Sequence, residues 1–239
     1  MRFEMINNKS ISVLLLVGSF LSQSAYAGEW TGEGEFGFTS TSGNTDSQSL
    51  NAKLGIGKKY EKWAHNAKLD VLQSSDNGVD SADSFVITEK SEYNFAEKTF
   101  AFGRVRHEED KFSGFDHQSV VSFGVGHMFL ENEKHSLQAS AGIGYKDLED
   151  DLGSDTQESV FDGELKYAFS ISETSAFNQN LFVESGESNT YSKSETFLKL
   201  VIVGNLGAKI GYEVKHNSDV PVGTEKTDKK TTVTLVYSF

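Results

Sequence analysis

The residues of this chain that could do chemistry are six histidines and a dense set of carboxylates, with no cysteine anywhere. His65, His107, His117, His127, His135 and His216 are scattered, and none belongs to a recognised serine or aspartate constellation. His107, followed by Glu108, Glu109 and Asp110, offers the material of a carboxylate–histidine pair at the outer rim. Neighbouring residues of a strand point to opposite faces, so true partners would have to be neighbours in space. A hydrolase needs nucleophile or activated water, orienter and a site for developing negative charge together. The sequence supplies no such set, and the expectation is a protein that is not an enzyme and has no catalytic residues. The stretch Asp147-x-Glu149-x-Asp151 with Glu158 offers the oxygen ligands of a calcium loop, and Glu158 even falls at the twelfth place. The register fails at the turn, because the glycine expected sixth is Leu152 and Gly153 comes one residue late. It reads as a solvated acidic stretch, with no metal and no cofactor expected.

Composition excludes several classes. Without cysteine there is neither a disulfide framework nor a lipid-bearing cysteine. The formal charge is −13, the wrong sign for gripping phosphate backbones, so nucleic acid is excluded as a partner. Arg2 and Lys9, an apolar run from Ile11 to Leu21, and the small-x-small site Ala25-Tyr26-Ala27 predict a signal peptide over 1–27, exported through the Sec pathway. Removing Arg2, Glu4 and Lys9 takes the predicted mature chain, 28–239, from −13 to −14. That apolar run is about half the roughly 20 residues a spanning helix needs.

The elements that must position any site are strands. Period-two alternation runs through the whole of 28–239. Its apolar sides begin with Phe36 and Phe38, then Leu50, Ala52, Leu54, Ile56 and Tyr60. Only Glu61-Lys62 separates these from Trp63, Ala67, Leu69 and Val71, whereas a polar stretch from Ser74 to Ala82 precedes Phe85, Ile87, Tyr93 and Phe95. Short and long connections go on alternating. Turns at Ala96–Lys98, Glu131–Lys134, Ser172–Ser175 and Gly204-Asn205 are short; connections around Asp110–Asp116, Asp147–Gln157, Gly186–Lys193 and Asn217–Lys229 are longer. The last alternation, Val233, Leu235, Tyr237, Phe239, ends the chain, making twelve strands. An even-stranded antiparallel transmembrane β-barrel has this layout, with short turns and both termini on the periplasmic rim and longer loops outside. Only 37% of residues are hydrophobic, which suits a barrel with one face in lipid and the other wet.

The polar faces then line the lumen. They carry Glu33, Glu35, Lys53, Lys68, Asp70, Lys90, Glu92, Asp162, Glu164, Lys166, Lys209 and Glu213. A cationic side chain turned to lipid would cost about 2–4 kcal/mol at the midplane, which fixes the facing. On the fifth strand Phe100 and Phe102 share a face with Arg104 and Arg106; the arginines are assigned to the lumen, with a bulge separating them from the aromatics. Rings at Tyr60, Trp63, Phe95, Phe100, Phe169 and Phe177 flank the short turns, as an interfacial girdle would. An acidic outer rim is expected from Glu108, Glu109, Asp110, Asp147, Glu149, Asp150, Asp151, Asp155 and Glu158. Tyr237 and the terminal Phe239 look like an assembly signal for the barrel-assembly machinery. The other expected partner is outer-membrane lipid, with a monomer favoured. A secreted sandwich or lipocalin-like barrel also alternates, but it would point its apolar residues inward.

Several short motifs add a family resemblance. Trp30 and Gly32, Gly37, Ser42-Gly43-Asn44-Thr45, Asp110 with Phe112-Ser113-Gly114, Gly124 and Gly126, and Gly142-x-Gly144-Tyr145 stand in the order and spacing of the salt-induced outer-membrane proteins. The chain resembles that family over nearly all of 28–239. The resemblance implies a β-barrel in the outer membrane and brings no substrate or catalytic residue. Ser42-Gly43-Asn44-Thr45 reads as turn chemistry, since Gly and Asn tolerate positive φ. Two functions follow from these features: a passive narrow channel for small solutes or ions, linked to salt or osmotic response, or a non-conducting surface protein whose acidic rim attracts cations.

Overall fold

The computed structural model describes residues 29–42, 47–76, 79–111, 113–150 and 153–239. The signal peptide and its cleavage site, the turn at 43–46, and Asp151 with Leu152 lie outside them. Twelve strands follow one another: β1 Glu29–Ser42, β2 Ser47–Tyr60, β3 Trp63–Asp76, β4 Val79–Asn94, β5 Thr99–Asp110 and β6 Phe115–Glu131, then β7 His135–Asp150, β8 Asp155–Ser172, β9 Ser175–Ser185, β10 Thr190–Val203, β11 Leu206–Asn217 and β12 Thr227–Ser238. Each pairs antiparallel with its neighbours, and β1 pairs with β12 to close the barrel. Closure pairs every edge, as a sheet in hydrocarbon must. At the seam Phe239 exchanges backbone bonds with Gly32, at 2.7 and 2.8 Å, one residue beyond the strand ladder.

The apolar side of the alternation faces outward. Phe36, Phe123, Ile143, Phe161 and Leu235 are each more than half exposed, whereas Arg104, Arg106, Asp162 and Glu184 are buried inside. An inside-out distribution of this kind excludes the soluble sandwich, whose core would hold the apolar set.

Two expectations are corrected. First, β5 has no bulge between its aromatics and its arginines: the register from Asn94↔Phe100 to Thr88↔Arg106 is unbroken. Phe100 and Phe102 therefore point into the lumen, each 4% exposed, and Phe100 is not a girdle member. Glycines facing them supply the room. A Cβ on Gly126 would clash with Phe100 Cζ, and one on Gly124 or Gly142 would stand 2.8 or 2.9 Å from Phe102. Second, the longer connections are mostly strand. β7 reaches Asp150 and β8 resumes at Asp155, and β8 has 18 residues where about 9–11 suffice to span. Asp147, Glu149, Asp150, Asp155 and Glu158 thus sit on strand extensions rather than in a loop, and their facing is fixed by the pleat.

Candidate functional site

The lumen is crossed by ion pairs between strands far apart in sequence. Near the rim that carries the termini, Lys199 pairs with Glu33, and Lys209 meets Glu35 at 2.6 Å. Further in, Lys53 lies 3.3 Å from Glu195 and 3.7 Å from Asp70. Lys90 bonds Glu164 at 2.8 Å and Glu92 at 3.0 Å, and Lys166 holds the other oxygen of Glu164 at 3.1 Å. Arg104 reaches Glu164 at 2.7 Å and Asp162 at 3.2 Å. Above it Arg106 binds Glu108 at 2.7 Å and Glu184 at 3.0 Å, while Lys215 binds Glu108 from the far wall at 2.8 Å. Glu213 takes Lys193 and Lys230, both at 3.0 Å. Charges withdrawn from water in this way persist only when paired and hydrogen-bonded. Inward aromatics supply a second partner: Arg104 lies over Phe182 at 4.8 Å, Arg106 over Tyr191 at 4.9 Å and Lys209 over Phe197 at 4.1 Å.

These rungs bound a cavity of about 740 Å³ that reaches from Thr31, Asn66 and Asn205, beside the short turns, to Arg106, Glu108, Tyr191 and Lys215. Lys68 lines it along with the lumen residues already named. Beyond that layer, Val120, Lys146, Leu148 and Val160 are buried on the β6–β8 side. The mouth above is bridged. In the strand ring, β5 and β6 lie opposite β11 and β12, yet the connection 218–226 crosses to the β5–β6 hairpin. Gly114, at φ +82°, faces Pro221 and Thr224 so closely that a Cβ would stand 2.9 Å from Pro221 Cδ. The crossing is pinned by Asn189 donating to Asn217 at 2.8 Å and by backbone–side-chain bonds from Thr190 to Ser218 and Asp219 to Asn189.

All fourteen residues assigned to the lumen from sequence lie on its wall or in its ion pairs. Two residues assigned to the acidic rim do not belong there. Glu108 is inside, on the same strand face as Arg106, and Glu158 is turned inward onto Lys146 at 2.9 Å and onto Ser188. Glu109, Asp110, Asp147, Glu149, Asp150 and Asp155 keep the rim acidic on their exposed or half-exposed positions. Lys146, Glu184, Lys193, Glu195 and Lys199 are lumen charges that the sequence reading passed over. Their signal was present, since each alternates with outward residues such as Val183, Leu198 and Leu200.

On the outer face His107 accepts or donates at both ring nitrogens, to Ser119 Oγ at 2.7 Å and Glu109 Oε1 at 3.1 Å. Glu109 is the i+2 neighbour, as same-face geometry requires; Glu108 is not a partner. Around Ser119 the backbone N–H groups belong to the β5–β6–β7 ladders, so no pair of donors is set for an oxyanion.

A closed twelve-stranded barrel, apolar outside and charged within, defines an outer-membrane β-barrel of the porin-like class. Solved structures of that class share the fold: the NanC porin superposes with a TM-score of 0.59 at 8% identity, over 85% of this chain and 98% of that one. The COG4313 outer-membrane channel from Pseudomonas putida F1 gives 0.53 at 10% identity, over 90% and 97%. The chain belongs to the family described as "Protein of unknown function, DUF481", which matches residues 34–239. It is also 29% identical, over 205 residues, to the uncharacterized protein YdiY of Escherichia coli (strain K12), covering 85% of this chain and 81% of that protein.

Proposed function

We propose that the protein is a narrow channel for small solutes or ions and that this structure is its closed form. The observation that carries the reading is the hollow half of the lumen: a charged cavity of about 740 Å³ runs from the short-turn rim to the rung formed by Arg106, Glu108 and Lys215. Twelve strands fall between barrels filled by side chains and the sixteen-stranded porins that enclose water. In this reading the short-turn rim is periplasmic, Sec export removes residues 1–27, and the folded chain sits as a monomer in outer-membrane lipid after insertion by the barrel-assembly machinery. Its rim carboxylates tie it to the salt response of the envelope, because their field depends on ionic strength.

The test is planar-bilayer conductance of the refolded chain and of a variant in which 219–224 is replaced by two glycines. Small, infrequent events from the first and larger, frequent ones from the second are expected. Absence of channel events from both would reject the channel and favour a non-conducting surface protein with a cation-attracting rim.

A further inference from the structure

The outer face of the β6–β7 hairpin carries a histidine with three carboxylates at ion-pair distance but beyond hydrogen-bonding reach. Asp116 Oδ2 and Glu149 Oε2 each lie 3.6 Å from His117 Nδ1, and Asp147 Oδ2 lies 3.8 Å from its Nε2. Hydrogen bonds of this type close at about 2.7–3.2 Å, so these gaps are too wide for direct bonding. The two 3.6 Å gaps at Nδ1 are close to the separation that a shared cation imposes. Two donors each about 2.0–2.1 Å from a tetrahedral ion stand about 3.4 Å apart. The donor atoms of Asp116, His117 and Glu149 all lie within 4.8 Å of one another, and a rotamer adjustment of the exposed Asp116 carboxylate would gather them onto one centre.

A local irregularity builds the cluster. Consecutive strand residues point to opposite faces, which would divide Asp116 from His117. Here the β6–β7 register slips between Phe115 and His117, leaving Asp116 as the extra residue of a bulge, while His117 stays opposite Glu149. Bulges re-aim side chains in this way. Asp147, two residues before Glu149, stands behind the other ring nitrogen, where a metal-bound imidazole commonly has a carboxylate orienting it. The adjacent His107 contrasts with this, since both of its nitrogens are engaged by Ser119 and Glu109.

We infer that Asp116, His117 and Glu149 form a binding site for a first-row divalent cation of the zinc type on the lipid-side face of the loop rim, with Asp147 orienting the imidazole. One imidazole and two carboxylates suit zinc better than calcium, which takes six to eight oxygen ligands. Three protein donors leave one position open for water or for an anionic headgroup oxygen. The site is separate from the lumen, so its failure would leave the channel reading intact.

The experiment is zinc titration by calorimetry of the refolded chain in chelator-free detergent micelles, with heat-modifiable gel mobility showing that each variant is folded. One zinc per chain with micromolar affinity is expected. His117→Ala and Glu149→Gln should each weaken it by at least about 10-fold, and Asp147→Asn by about 10-fold, whereas His216→Ala, on β11, should bind as the parent does. X-ray absorption of the zinc-loaded protein should show one imidazole. Absence of binding by the parent at 100-fold excess zinc, or equal affinity in folded His117→Ala and Glu149→Gln, would overturn the assignment. Calcium binding in preference to zinc would overturn it too.

Discussion

Glu108 is the carboxylate on which the rung at the far end of the cavity turns, because it holds Arg106 of its own strand at 2.7 Å and Lys215 from the opposite wall at 2.8 Å. Removing one partner of a buried ion pair costs about 3–5 kcal/mol when the other charge is left uncompensated. Glu108→Gln falls at or below the low end of that range. Arg106 keeps Glu184, and the Lys215 side chain, 18% exposed, can turn toward the cavity. A loss of about 2–3 kcal/mol is expected. Lys215→Met should cost less, about 1–2 kcal/mol, because Glu108 retains Arg106. The double variant should then lose about 1 kcal/mol less than the sum of the two, the coupling a cross-lumen contact leaves in a mutant cycle. Urea unfolding in lipid vesicles measures this, read by the fluorescence of Trp30 and Trp63, the only two tryptophans, both outward-facing near the short-turn rim. The same double variant should show larger unitary conductance than the parent, since the rung that closes the cavity is gone. Additive losses, or an unchanged conductance, would refute the claim that this pair bridges and closes the lumen.

The packing of β5 gives a second test: Gly126→Leu should lower the yield of folded barrel because Phe100 occupies the space, and Phe100→Ala in the same chain should restore it, read by gel mobility. Deleting Phe239 removes two backbone bonds at the β1–β12 seam and the ring over Gly32, so membrane-inserted protein should fall while export to the periplasm is unchanged, as fractionation would show. Reversal potentials should show a mild cation preference at low salt. The cavity wall carries ten lysines and arginines against six carboxylates, but Glu92, Asp162, Glu184 and Glu213 lie just behind it together with Lys230, so eleven cations face ten carboxylates and the near balance leaves the acidic rim to decide. That preference should fade as the Debye length shrinks from about 30 Å at 0.01 M to about 3 Å at 1 M. Anion selectivity at low salt would place the controlling charges on the cavity wall instead.

What could be read from the sequence follows from the range of each physical rule. Facing is a two-residue rule, so the outward set from Phe36 to Leu235 and the inward charges from Glu33 to Glu213 are visible from alternation alone. Phe100 and Phe102 looked like an exception only because the space that admits them belongs to Gly124, Gly126 and Gly142 on other strands. A bulge was the local remedy; the glycines are the non-local one. The partners of Glu108 show the same limit. Arg106 is two residues away, whereas Lys215 is 107 residues away and adjacent only because the strand ring closes. A rung across a lumen is a property of closure, and no window of sequence contains it. The cluster at His117 fails for the opposite reason: Asp116 and His117 are adjacent in sequence, and strict alternation sets them on opposite faces until a one-residue slip against β7 brings them together. Alternation therefore reports which side of the wall a residue is on. Pairing across the lumen and slips in register decide what it meets there, and both the closed lumen and the outer cation site depend on those two.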